Sequence, residues 1–297
     1  MSIIYIDRKG HKRQGETGQD RLLAFIYGHA VTRCLIRPFL SPVVSRIGGA
    51  FLDTRISGLA VPGFVKKNGI DLSLYEKRIF DSYNDFFTRK IRVEERPVNP
   101  DANALVSPSD GKVSVYKIHE NGHFLIKHTE YTLELEQLLQ DKKLAKRYLD
   151  GHIYVIRLTV DDYHRYCYAA DGRKSEQRKI AGILHTVNPV ANDVCPIYKM
   201  NSREYCLIKT EQFGTLLQME VGALMVGKIS NNQQGLGFVH KGVEKGRFEF
   251  GGSTIILLTQ KNVVIPDRDL LEHTGSGMET LVKMGEQIGR SANRLDA

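Results

Sequence analysis

The chain has 297 residues, 41% hydrophobic and 26% charged, the balance of a folded protein with room for one large domain or two modest ones, and this excludes wholesale disorder. Lysine and arginine outnumber aspartate and glutamate by 42 to 34, and the net charge of +8 favours an anionic partner such as nucleic acid or an acidic membrane surface. Cys34, Cys167, Cys195 and Cys206 lack CxxC spacing, so neither a zinc site nor a disulfide framework is expected, and the usage fits a reducing compartment.

The opening Met-Ser-Ile-Ile-Tyr-Ile-Asp-Arg-Lys-Gly turns polar too early for a secretory signal. No run approaches the roughly 20 apolar residues of a bilayer span. From Asp20 to about Ser57 the pattern is helical and basic: Leu22, Leu23, Phe25, Ile26, Val31, Leu35, Ile36, Phe39 and Leu40 alternate with Arg21, Arg33, Arg37 and Arg46, broken by Pro38 and Pro42. Such helices lie in a lipid headgroup layer, or pack on their own domain. Residues 70 to 90 carry a second helical pattern that ends before Arg96-Pro97-Val98-Asn99-Pro100. Beyond it come short β-rich runs between glycine turns, at Lys112 to Ile118, Ile153 to Val160, Thr215 to Val226 and Thr254 to Leu258. The expectation is an α+β fold, with N-terminal amphipathic helices followed by a largely antiparallel β core. Residues 275–286 are small and flexible in composition and either line a site or trail away.

The stretch richest in chemistry is Lys241-Gly-Val-Glu-Lys-Gly-Arg-Phe-Glu-Phe-Gly-Gly-Ser-Thr254, running into the apolar Ile255-Ile-Leu-Leu258. Two glycines let the backbone twist so that the Ser253 hydroxyl reaches the Gly252 carbonyl. Attack there moves the acyl group from nitrogen to oxygen, β-elimination of the ester gives dehydroalanine, and hydrolysis leaves a pyruvoyl cap. Taken alone, Gly-Gly-Ser-Thr reads equally as a glycine turn before a strand. Ser107-Pro-Ser-Asp-Gly111 is a turn whose Asp110 orients a base or simply forms the turn. Asp162-Tyr-His-Arg165 groups an acid, an imidazole and a guanidinium suited to a substrate with carboxylate and phosphate, though an exposed charged turn looks similar.

Lys-Gly-x-Glu-x-Gly-x-Phe-x-Phe-Gly-Gly-Ser-Thr closely resembles the processing site of phosphatidylserine decarboxylases. Other family-like segments follow the expected order: Asn84-Asp-Phe-Phe-Thr-Arg89 with Arg96-Pro97, Ser107 to Lys112, Tyr131-Thr-Leu-Glu134, Asp162 to Arg165, and Thr186-Val-Asn-Pro189. The resemblance covers residues 70 to 290. It implies self-cleavage between Gly252 and Ser253, a pyruvoyl group from Ser253 as the cofactor with no metal or pyridoxal phosphate, and conversion of phosphatidylserine to phosphatidylethanolamine and carbon dioxide. The pyruvoyl carbonyl condenses with the substrate amine and draws electrons as the carboxylate leaves. Asp110 then inherits the acid of the cleavage relay and His164 a part in decarboxylation.

In one place the sequence departs from the pattern. Family members commonly carry a second histidine three residues after His164, taken as the relay base, and this chain has Cys167. His185, just before Thr186, is the candidate replacement, or else a histidine satisfied within a strand. The expected organisation is a helical, membrane-associating region over 1–69 and a decarboxylase domain over 70–297, peripheral to the cytoplasmic face of the cell membrane. Cleaved pieces of 252 and 45 residues should stay together through the strand at 255–258. A homo-oligomer, the acyl-chain preference and the relay base stay open, and nucleic acid is disfavoured for want of a motif. The competing reading is an uncut, catalytically inactive lipid-binding relative.

Overall fold

The computed structural model describes residues 3–15, 25–36, 40–125, 132–186, 197–223, 228–249 and 253–292. Gly252, Tyr131 and Val187 to Pro189 of the family-like segments lie outside them, as do Arg21, Leu22, Leu23, Arg37 and Phe39 of the basic N-terminal pattern.

The apolar run at 255–258 forms the strand Ser253–Thr259, with every residue buried. Alternation sends Ile255 and Leu257 to one face and Ile256 and Leu258 to the other. Each pair enters a separate hydrophobic cluster, so this strand is a wall between two cores. It lies inside an 11-stranded sheet, between Thr215–Val221 and His152–Leu158. Outward on one side follow Arg203–Lys209, Gly172–Lys174 and Gly237–Val239; on the other follow Gly111–Lys117, Glu279–Val282, Ile3–Asp7 and Lys12–Gly15. Pairing is antiparallel throughout, except where Ile3–Asp7 runs parallel to Glu279–Val282. The fold is α+β with a largely antiparallel core, as the runs of β-formers indicate.

The N-terminal region differs from a purely helical segment. Short helices at Ala30–Ile36, Pro42–Leu52, Arg55–Gly58 and Val61–Asn68 are present, but residues 3–15 form a β-hairpin joined to the main sheet. Arg8 ties that hairpin down by pairing with Asp267 and Asp269. A boundary at 69/70 therefore does not part the N-terminus from the core.

The pattern over 70–90 also resolves differently, as a single turn at Leu72–Leu74 and a five-residue helix Tyr83–Phe87 capped by Ser82. Tyr75 instead bridges to Ile91, and the two pack on Tyr163. Long-range contact, not helical period, buries these residues. Residues 279–282, by contrast with the flexible reading of 275–286, form a strand beside Gly111–Lys117.

Candidate active site

One register row crosses seven strands: Arg203, Val221, Thr254, Arg157, Lys112, Leu281 and Asp7. Ser253 and Asp110 stand within two positions of this row, and His164 and His185 are tied to the same end of the sheet through Asp162 on Lys112 and through Asn201. With strands about 4.8 Å apart, Thr254 and Lys112 are about 10 Å from one another. Ser253 and Asp110 sit just beyond them at that end.

Ser253 opens the central strand, fully buried at 0% exposure, and its Oγ has no hydrogen-bond partner among the described residues. A hydroxyl in that state costs about 1–3 kcal/mol of desolvation. Its side chain shares the face of Ile255 and Leu257.

His164 follows the turn after His152–Leu158 and is also fully buried. Its Nδ1 lies 2.9 Å from the Asp162 carbonyl oxygen. A carbonyl only accepts, so Nδ1 carries the proton. Burial first, and then the Arg89 charge, push the imidazole down to about 3, which keeps it neutral near pH 7. Nε2 is therefore a bare acceptor, and it has no partner among the described residues. The Phe87 ring packs on the imidazole at 3.9 Å between centroids. The Asp162 side chain is locked by Lys112 Nζ at 2.7 Å and by the Thr159 amide and hydroxyl. Burial alone would raise its carboxyl, but Lys112 and Thr159 outweigh that and hold it below the ordinary value.

Asp110 keeps company other than an imidazole. Its carboxylate takes the Arg96 fork, with Nε at 2.8 Å, and the Met284 amide at 2.9 Å. Here residues 275–286 line the site: Gly285 adopts φ +86° against the Pro97 and Val98 backbone, where a side chain would collide. Cys167 is buried near this carboxylate, its Sγ 4.0 Å from the Ser107 carbonyl. Burial, with Asp110 and Glu244 adding to it, pushes the thiol up to about 12, so it is not a base near neutrality. Arg165, read from sequence as a substrate-binding guanidinium, is engaged by Glu244 at 2.9 Å and the Thr88 carbonyl.

His185 stands at the same end, two strands to the other side. Its amide and carbonyl are held by the Asn201 side chain, which also donates to the Gly222 carbonyl beside Val221. Its Nδ1 lies 3.2 Å from the hydroxyl of Tyr27, which is 1% exposed, and burial lowers its pKa. Tyr27 belongs to the cluster of Ile256 and Leu258, so this contact is on the face opposite the Ser253 side chain. The structure thus gathers Ser253, Asp110, His164, His185 and Cys167 at one end, without bonding any imidazole to Ser253 Oγ. Among the described residues no His/Cys/Asp/Glu group is arranged to hold a metal.

Arg96, Tyr27 and the buried Arg157–Glu279 pair had no assigned role in the sequence. Arg96 was legible as part of Arg96-Pro97, whereas Tyr27 gave no signal.

The family model described as phosphatidylserine decarboxylase matches residues 83–290, which span this whole arrangement. The chain belongs to the phosphatidylserine decarboxylase family. It is 42% identical to phosphatidylserine decarboxylase proenzyme 2 of Clostridium acetobutylicum, covering 98% of this chain and 99% of the relative. Phosphatidylserine decarboxylase proenzymes of Fusobacterium nucleatum (98% of each chain) and Chlamydia caviae (97% and 98%) are each 38% identical to it. The family membership therefore extends through the N-terminal hairpin and helices as well as the β core.

Proposed function

We propose that this family member cuts itself between Gly252 and Ser253 and, with the pyruvoyl group so formed, decarboxylates phosphatidylserine to phosphatidylethanolamine and carbon dioxide. The observation that carries the reading is Ser253: a buried, unpartnered hydroxyl on the first residue of the central strand, directly after the glycine pair. In cleavage, Ser253 Oγ attacks the Gly252 carbonyl carbon and the peptide C–N bond breaks, leaving an ester and a free amine. Loss of the Ser253 α-proton expels the Gly252 carboxylate, and water then replaces the amine as ammonia.

The residues at this end of the sheet suit a pyruvoyl group, since the Thr254 hydroxyl beside it and the Nε2 of the neutral His164 are buried and have no hydrogen-bond partner among the described residues. Once formed, the group supplies an electron sink for breaking the substrate's carbon–carboxylate bond. The remaining work falls to the side chains. His164, with Nδ1–H fixed on Asp162, presents Nε2 to hold and deliver a proton. Asp110, the relay acid that the family resemblance implies, bonds Arg96 and the Met284 amide and no imidazole among the described residues, so here it orders that side of the site. His185, at the same end of the sheet, is proposed as the base in place of Cys167; to act on Ser253 its ring must leave Tyr27, which packs on the face opposite the Ser253 side chain.

The membrane partner is proposed from the N-terminal helices. Val31, Leu35, Ile47, Phe51, Ile56 and Leu59 are exposed there, with Arg55, Lys66 and Lys67 close in sequence. Apolar side chains bordered by cations suit an anionic bilayer surface at the cytoplasmic face, where only a headgroup need enter the site. No helix among the described residues is long and apolar enough to cross a membrane.

Intact mass under denaturing conditions, beside Ser253→Ala, tests the reading. A 45-residue piece with a pyruvoyl end, absent from the variant, is the expected result. A chain that stays whole and still binds vesicles makes it an inactive lipid-binding relative.

A further inference from the structure

The segment Asn84 to Arg89 has no part in the mechanism above, yet it forms the wall behind His164. Arg89 is 2% exposed, its guanidinium held between the rings of Tyr75 and Phe86 at 4.7 and 4.6 Å. Nη2 donates to the carbonyl oxygens of Asp161 at 3.1 Å and Asp162 at 3.2 Å, while Nη1 donates to Phe86 at 3.3 Å. The Asp162 carbonyl is the same atom that accepts the proton of His164 Nδ1. We propose that Arg89 is a positioning residue for His164, acting through the Asp162 carbonyl to fix the ring's orientation and its Nδ1–H tautomer.

The proposal rests on the reading of His164 as the proton-transfer group. Arg89 forms no ion pair with a carboxylate among the described residues; carbonyl dipoles and ring faces alone balance its charge. A buried cation left in that state is costly, and a neutral side chain would fill the space more cheaply if packing were the only need. Its charge opposes protonation of the neighbouring imidazole, and its Nη2 pins two successive carbonyls of the turn that carries the ring while Nη1 anchors it to the Phe86 carbonyl. Phe87, two residues before Arg89, packs on the imidazole ring itself. Swinging the Asp162 carbonyl away would release Nδ1–H, and the proton could then settle on Nε2, which removes the base.

The test uses the full-length protein with ¹⁵N-labelled histidine, as Arg89→Met and Arg89→Lys variants, with rates expressed per cleaved chain. In the parent protein the His164 ring should show a single Nδ1–H tautomer near neutral pH. In R89M it should show mixed tautomers or protonation, and kcat should fall by about 10²-fold with KM little changed, the scale of a misplaced catalytic group. R89K keeps the cation and the stem packing but not the fork, so it gives the same reading in a milder form wherever R89M fails to fold. A folded variant with unchanged ring signals overturns the proposal, whether or not its rate has dropped, because a merely structural role produces that pattern. Retention of full kcat in His164→Gln would instead sink the reading of His164 itself, independently of the ring signals in the Arg89 variants.

Discussion

Cleavage after residue 252 would leave the catalytic end of the protein on a 45-residue piece with no covalent tie to the rest, so the fold must retain it. Ser253–Thr259 is hydrogen-bonded on both edges to strands of the larger piece, and Glu279–Val282 is likewise held between Gly111–Lys117 and Ile3–Asp7. Leu257 is fully buried in this arrangement. Leu257→Ala should cost about 2–5 kcal/mol through lost burial and the cavity left behind. At about 1.4 kcal/mol per decade, that lowers the hold on the small piece by between about thirtyfold and a few thousandfold. Leu271→Ala, on a side chain of the same piece that is 39% exposed, should change it by no more than about 0.5 kcal/mol. The assay is a urea series on cleaved protein, with the free small piece separated by size and quantified by mass. If L257A releases it at the same urea concentration as the parent, the strand is not what retains it, and the argument from burial fails.

His185→Ala should slow self-cleavage by about 10²–10⁴-fold, the range for a general base, read as the fraction of intact chain over time; normal processing in that variant with arrested processing in His164→Gln would move the base to His164. Because burial lowers the His185 pKa, the acid decline of cleavage, read as the fraction of cut chain over a pH series, should set in at lower pH than for an ordinary histidine. His164→Gln should abolish the acid loss of stability that this residue causes: with the folded pKa near 3 and the unfolded one near 6.5, the unfolded chain binds more protons between them, so stability falls as pH drops through that window. Replacing Leu35 and Phe51 with aspartate should weaken vesicle binding in co-sedimentation, whereas deletion of 20–57 is a poor test because Tyr27 and Leu40 are core residues. Lys245→Met should destabilise the protein by about 3–5 kcal/mol in urea unfolding, since it leaves the fully buried Glu220 carboxylate without its ion-pair partner.

Ser253 was legible as a candidate because its strand is a short apolar run behind two glycines, a local pattern that needs no tertiary knowledge. His164 and Asp110 were legible as residue types in charged or glycine-containing turns, but their partners were not. Nothing in the spacing of Arg96 and Asp110 says that the guanidinium takes the carboxylate, and nothing near Asp162 says that its backbone, more than its side chain, fixes the imidazole. The N-terminal hairpin escaped for a related reason: Ile3 to Asp7 is a weak β pattern stabilised by a strand from the far end of the chain. Residues 70 to 90 misled in the opposite direction, their apolar spacing resembling a helix while Tyr75 and Ile91 were paired across a loop.

That pairing of the first strand with residues 279–282 also sets an order of events during synthesis. Asp110 receives its amide from Met284, and Lys112 its neighbouring strand from Leu281, so neither is in place until residues 279–284 have been made. Ser253 emerges earlier, into a sheet in which Gly111–Lys117 and Ile3–Asp7 each still have one edge open for Glu279–Val282. On the proposed reading the chain is timed by its own topology: the bond before Ser253 would meet a finished site only after residues 279–284 have joined the sheet.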